Sequence, residues 1–223
     1  MKIITKIVLV IFCCVPCFFT IDSFAQDTPC GTTEVHLKLL ETDPAYKKNY
    51  LAEESRLATL DKIAFAEGYK SAKPASPAAP PKFIIPVVFH IIHQYGFENI
   101  SDEQVKDAIR TLNEDFRKRN ADSINTVNEY KPIAADCEIE FRLAQLDPNG
   151  QPTNGIERIA SAYTNKGNDT AKLNPWPRSM YLNVWVVKYV MGGFAAYANY
   201  PGGTAARDGI LSLHNYIGAI GTS

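Results

Sequence analysis

The stretch that most constrains this chain is residues 83–93, FIIPVVFHIIH, an apolar run broken only by Pro86 and two histidines. Its β-branched and aromatic residues suit a pleated surface covered on both sides, so it reads as a buried strand. A membrane-spanning helix needs roughly 20 apolar residues, well beyond this run. Turn-forming residues bound it and a proline-rich stretch precedes it, so a folded domain begins at Phe83.

The residues upstream read as delivery and restraint. Residues 1–25 carry Lys2 and Lys6, an apolar core over 7–19, and the small residues Ser23 and Ala25 at the positions a signal peptidase reads. They are expected to be a secretory signal peptide cleaved before Gln26, leaving the rest of the chain outside the cytoplasm, extracellular or periplasmic. Three of the five cysteines, Cys13, Cys14 and Cys17, belong to this segment. Only Cys30 and Cys137 remain, too few for a disulfide scaffold, in a compartment that permits oxidation. Residues 26–69 form the next unit. There Asp43 is a cap-type residue, Pro44 suits a first helical position, and Tyr50, Leu51, Leu57, Leu60 and Phe65 fall at helical spacings, which predicts an amphipathic helix over 44–67. Residues 70–82, KSAKPASPAAPPK, can hold neither a helix nor a central strand and read as an extended linker.

From Phe83 to Ser223 the chain reads as one unit. Ser101 and Gln104 make a capping-box pattern, and Val105, Ile109, Leu112 and Phe116 share a face, predicting a helix over 102–119 laid on a sheet. Residues 138–146, EIEFRLAQL, alternate as a half-buried strand, and the turn-rich 147–155 leads to a partner strand at 156–160, as in a hairpin. Residues 181–187, YLNVWVV, are apolar enough for the sheet centre, and short strands follow at 194–198 and near 209–214. One helix among several strands predicts an α/β or α+β fold, a twisted mixed sheet of about five strands with a backing helix.

The formal net charge of -1 offers no field for nucleic acid or an anionic membrane, so neither partner is expected once the signal peptide is gone. No HExxH, GxSxG, P-loop or dinucleotide fingerprint occurs in the sequence. His90 and His93 look like a metal pair, but residues three apart on a strand point to opposite faces, so both are expected to be structural. His36 and His214 stand outside any ligand grouping, and Trp176, Tyr181 and Trp185 read as core and rim packing.

Taken in order, IPVVFHIIH, NISDEQVKDAIRTLNEDFRKRNAD, IEFRLAQLDPNGQPTNGIERI, WPRSMYLNVWVV and GFAAYANYPGG with DGILSLH resemble the pappalysin group of metzincin zinc metallopeptidases, its ulilysin-like members most closely. The resemblance covers 83–223 and extends to Cys30-Gly31-Thr32. It implies a secreted zinc endopeptidase made as a zymogen, with a mostly helical pro-segment ahead of a metzincin-like N-terminal subdomain. In that group the HExxHxxGxxH helix holds zinc through three histidines and carries the general-base glutamate. That helix is expected beyond Ser223, so no catalytic residue and no zinc histidine is assigned in this chain. Zinc is the implied cofactor and calcium a further candidate; an extended peptide or protein is the implied partner, and the oligomeric state is left open.

Within the resemblance, Cys30 is similar to the group's latency switch, a thiolate that fills the metal's open position, and is the one residue here implied to touch zinc. The alternatives are a Cys30–Cys137 disulfide, a partner elsewhere, or an inert thiol, and Asp27 could offer an oxygen ligand instead. Phe194, Ala195, Ala196, Tyr197 and Ala198 would be an edge strand over the cleft, pairing antiparallel with an extended peptide. Activation is expected through cleavage in or near 71–82, with Lys70, Lys73 and Lys82 as basic cleavage positions. Alone, the 223-residue chain ending at Ser223 is expected to be inactive and, without the zinc helix, to bare one apolar face of its sheet. A catalytically dead secreted peptide-binding module and the product of a truncated gene are the competing expectations.

Overall fold

The computed structural model describes residues 29–66 and 83–221, with the backbone alone for 64–66. The expected signal peptide, Asp27, the linker with Lys70, Lys73 and Lys82, and the end of the expected unit at Ser223 lie outside the described residues.

The axis of the main domain is β1 (Phe83–His93), whose last seven residues are all buried. On one flank it pairs in parallel with β2 (Ile139–Leu143) through residues 83–87 and with β3 (Ile156–Ala160) through residues 89–93. On the other flank β4 (Leu182–Val187) runs parallel to it, as the apolar density of 181–187 requires. Beyond β4 lies β6 (Ile210–Leu213), again parallel, and β5 (Ala196–Ala198) closes the sheet antiparallel to β6. The result is a mixed six-stranded α/β sheet in the order β2-β1-β4-β6-β5, with β3 also on β1.

The hairpin expected between β2 and β3 does not form. Each strand pairs with a different half of β1, and residues 144–155 are an excursion that closes on itself at the Leu146–Pro152 bridge. The edge stays nearly continuous across it, because the Ala144 N–H donates to Val87 O at 2.9 Å and the Phe89 N–H to Gly155 O at 2.9 Å. The reason is length: β1 has 11 residues and its partners 5 each, and its buried backbone groups need partners along the whole run. β2 is also shorter than EIEFRLAQL, since Glu138 has φ 55°, outside strand conformation.

The pleat sorts the side chains of β1. Val87, Phe89 and Ile91 pack with Val105 and Ala108 of α3 (Asp102–Phe116) and with Phe141, Val184 and Val186. Ile92 lies on the other face with Trp185, Val187 and Leu211, and Val88 lies with Ala144, Trp176 and Tyr181. Each large apolar side chain buried this way contributes about 1.5–3 kcal/mol. That second face is not bare: the stretch between β3 and β4 supplies Ala171, Trp176 and Tyr181 to it. α3 starts at Ser101, whose hydroxyl accepts from the Gln104 N–H at 3.1 Å, and it ends at Phe116 rather than 119. Just past that end Arg117 meets Asp136 at 2.8 Å, both side chains under 5 % exposed, tying the helix to the loop before β2.

Ahead of β1 stand α1 (Thr32–Thr42) and α2 (Pro44–Ala66). No element was expected between Cys30 and Asp43, and the local signal for α1 is weak because Gly31 offers no side-chain cap. α2 is capped as its sequence suggests, Asp43 Oδ1 accepting from the N–H groups of Ala45 and Tyr46 at 3.1 and 3.0 Å. Of its apolar face only the N-terminal end is covered: Tyr46 is buried, whereas Leu51, Leu57 and Leu60 are exposed. No helix among the described residues is long and apolar enough to cross a membrane.

Candidate functional site

β5 is the edge of the sheet, and the chain just before α1 lies along its outer flank. The Ala195 N–H donates to Pro29 O at 3.1 Å, the Gly31 N–H to Ala196 O at 2.9 Å, and the Ala198 N–H to Thr32 Oγ1 at 3.1 Å. The two runs ascend together, so residues 29–32 lie parallel to β5. The strand proper is shorter than the expected 194–198: Phe194 and Ala195 precede it, after a turn through Gly192 and Gly193 at φ 82° and 71°. Phe194 packs against Gly31, where an added Cβ would stand 2.2 Å from the ring, so the close approach requires glycine. Tyr197 turns inward, is 4 % exposed, and donates its hydroxyl to Asp169 Oδ1 at 2.9 Å. Burial, with the Asp169 charge behind it, raises the Tyr197 pKa.

Cys30 sits between these contacts, exposed, with its thiol donating to Thr32 Oγ1 at 3.3 Å. Cys137 is exposed just ahead of β2, and both are free thiols, so the Cys30–Cys137 disulfide is not formed.

A charged group lies behind the edge. Lys172 Nζ is 3.0 Å from Asp169 Oδ1 and donates to the carbonyls of Arg207 at 2.6 Å and Gly209 at 3.2 Å. Burial pushes its pKa down. Arg207 Nη1 meets Asp43 Oδ2 at 2.7 Å, and its Nε is 3.8 Å from Asp169 Oδ2. The Asp43 carboxyl is held below the usual range, first by the Tyr46 N–H and then by Arg207. One carboxylate therefore caps α2 and ties it to the main domain. The loop after β5 receives the same helix: at Gly202, φ 96°, a Cβ would stand 3.0 Å from the Asn49 backbone. His36 Nδ1 is 2.8 Å from the Tyr46 hydroxyl, and its ring lies 4.5 Å from those of Tyr50 and Tyr200. Asp169, Lys172 and Arg207 gave no sequence signal, since separate loops bring them together and none sits in a motif.

His90 and His93 are buried in the core, and His214 is half-buried. His90 Nε2 is 2.9 Å from Asn183 Oδ1, which also accepts from the Trp176 N–H while Asn183 Nδ2 donates to Trp176 O; His90 is thus the donor there. Its Nδ1 faces Glu157 Oε2 at 2.7 Å, and its ring stacks on Trp185 at 4.9 Å. Burial works against the Glu157 charge, but His90 and then Asn174 outweigh it and hold the carboxyl below its ordinary value. His93 accepts the Tyr95 N–H at 3.2 Å, and burial lowers the pKa of His214. Among the described residues no group of three or more His, Cys, Asp or Glu is placed to hold a metal ion, so they do not by themselves make a zinc site.

No protein-family model matches the chain, and no curated protein matches it by sequence. Solved structures do. Mature mirolysin of Tannerella forsythia in complex with a cleaved peptide is 34% identical over 67% of this chain and 57% of that one, with TM-score 0.58. A promirolysin mutant of Tannerella forsythia is 28% identical over 87% of this chain and 62% of that one, with TM-score 0.67. Mirolysin in complex with a compound is 35% identical over 65% of this chain and 57% of that one, with TM-score 0.57. The chain thus spans 57% to 62% of these structures. Motifs and fold agree: the chain is similar to mirolysin, of the pappalysin family of metzincin metallopeptidases, and has a zymogen-like fold.

Proposed function

We propose that this chain is the pro-segment and the substrate-binding upper part of a secreted zinc endopeptidase zymogen. The observation that carries the reading is the occupied flank of β5. An extended peptide adds to a sheet by pairing with exposed edge groups, and here Ala195 N–H, Ala196 O and Ala198 N–H are already engaged by residues 29–32. A peptide and the upstream segment cannot hold these groups together. The segment lies parallel to β5 where a substrate would run antiparallel, so it blocks the edge with its backbone polarity reversed. Promirolysin matches 87% of this chain and mature mirolysin 67%, which supports reading the residues before β1 as a pro-segment.

On this reading residues 1–25 direct export, and cleavage near Lys70, Lys73 or Lys82 separates the pro-segment from the body. Zinc is the metal the family implies, where it supplies Lewis-acid chemistry to peptide hydrolysis. The described residues offer it one candidate ligand, Cys30, exposed beside the rim. The residues that would complete the site are not among those described, and the chain from Met1 to Ser223 is expected by itself to hydrolyse no peptide. Chelator-sensitive hydrolysis by the purified chain would overturn that expectation.

The rim itself is tested by hydrogen exchange. With a specific protease site placed in 71–82, the amides of Ala195 and Ala198 should exchange slowly before cleavage and quickly once the pro-segment is washed away. An added extended peptide should slow them again. Exchange that ignores both steps would remove β5 as the peptide-binding edge.

A further inference from the structure

Arg207 stands where the pro-segment and the rim meet, and it is presented by a built framework. Its carbonyl is fixed by Lys172 Nζ and by Asn199 Nδ2, each at 2.6 Å, and Asn199 directly follows β5. Its guanidinium points toward the pro-segment and takes one full ionic partner there, Asp43 at 2.7 Å. The carboxylates of its own domain are committed elsewhere. Asp169 is 3.8 Å from Nε but is held at 3.0 Å by Lys172 and at 2.9 Å by the Tyr197 hydroxyl. Asp208 lies close enough to Lys172 to favour its charged form. When the pro-segment leaves, Arg207 loses its closest carboxylate and keeps only Asp169, at 3.8 Å and shared with Lys172 and Tyr197, while its carbonyl stays tied to Lys172 and Asn199.

We propose that Arg207 is a carboxylate-binding subsite at the end of the rim, filled by Asp43 while the pro-segment is docked and open to a carboxylate of an extended peptide afterwards. The inference rests on the reading of β5 as the peptide-binding edge. A peptide antiparallel to β5 brings its N-terminal part to the C-terminal end of the strand, so an acidic side chain on that part is the group the subsite takes. A guanidinium suits the task because its planar donors match a carboxylate and it stays charged at any working pH.

The test uses the full chain, nicked at a protease site placed in 71–82, with retention of the pro-segment read by size-exclusion chromatography and intact mass. Asp43→Asn keeps the side-chain oxygen that caps α2 and removes the charge, so it separates the ionic contact from helix capping. It and Arg207→Gln should each weaken retention by about two- to fivefold, more at low salt than at high. Short acetylated, amidated peptides carrying one glutamate near the N-terminus should displace the nicked pro-segment about two- to fivefold better than their glutamine counterparts. Arg207→Gln should abolish that preference. A glutamine peptide with a free C-terminal carboxylate should gain nothing; if it gains instead, the subsite takes terminal carboxylates and the antiparallel placement is wrong. Displacement without acid preference overturns the subsite and leaves the rim reading intact. No displacement by any peptide overturns both.

Discussion

β1 and β5 both have a partner on each flank, and the two sets of contacts are built for different lifetimes. β1 is held by parallel registers of five residues with each of β2, β3 and β4, and its last seven residues are buried. β5 has three residues, and its outer partner offers two backbone hydrogen bonds and one threonine hydroxyl. The ion pairs follow the same division. Arg117–Asp136 in the body is 3% and 4% exposed, whereas Asp43–Arg207, which joins α2 to the body, is 27% and 29% exposed. Removing one partner of a buried pair costs about 3–5 kcal/mol, while a solvent-exposed pair contributes about 0–1 kcal/mol. On the proposed reading, contacts that must persist are buried and long, and the contacts of a segment that leaves are short and partly exposed.

The comparison can be broken most directly from the body side. Phe89→Ala should cost about 3–5 kcal/mol in chemical denaturation, because the ring is 2% exposed between α3 and the sheet and leaves a cavity behind. Pro-segment docking should fall with it, since β5 hangs on the same sheet. A loss below about 1 kcal/mol would mean that the body is not the rigid partner claimed here.

Glu157→Gln should cost about 1–3 kcal/mol at neutral pH by weakening the hold on buried His90. The sign of its pH dependence is fixed. Glu157 is held below its ordinary value in the fold, so its contribution is fully present above an unfolded pKa of about 4.3 and is lost as pH falls through the lower folded value. Wild type and variant should therefore converge in acid, and a gap that widens as pH falls would contradict the assignment.

Gly31→Ala acts on the other side of the comparison. The methyl must push the Phe194 ring aside, weakening pro-segment docking by about 1–3 kcal/mol. Limited proteolysis should speed up within α1 and α2 while the denaturation midpoint of the body stays where it was. A common shift of both would show that the two regions unfold as one. Ser101→Ala, which removes the α3 cap, should have the smallest effect, about 1 kcal/mol and confined to the body.

Much of the body was legible because local chemistry and tertiary need coincide there. The apolar density of 83–93 and 181–187 could be satisfied only inside a sheet, and Ser101 announced its helix by a side chain that caps three residues away. The hairpin expectation failed because 147–155 carries authentic turn residues, while the choice of partner was made by the length of β1 and not by the turn. α1 went unseen because it has no side-chain cap and no buried residue, and it owes its place to packing on the body. The site was legible only in outline. Cys30 and 194–198 carried motif signals, whereas Asp169, Lys172 and Arg207 are ordinary surface-type residues until the loops converge.

By itself the sequence determined where the central strands run, that they are covered on both faces, and which family the ordered motifs resemble. The strand readings follow from side-chain periodicity and composition, which act over a few residues and survive in any tertiary arrangement, and the family from the resemblance of the ordered motifs. Only the folded structure decided that residues 29–32 lie on the outer flank of β5, that Gly31 sits under Phe194, and that Asp43 reaches Arg207. Asp43 and Arg207 are 164 residues apart and Thr32 and Ala198 are 166 apart. At such separation local propensity carries no information about which backbone and which charge will meet.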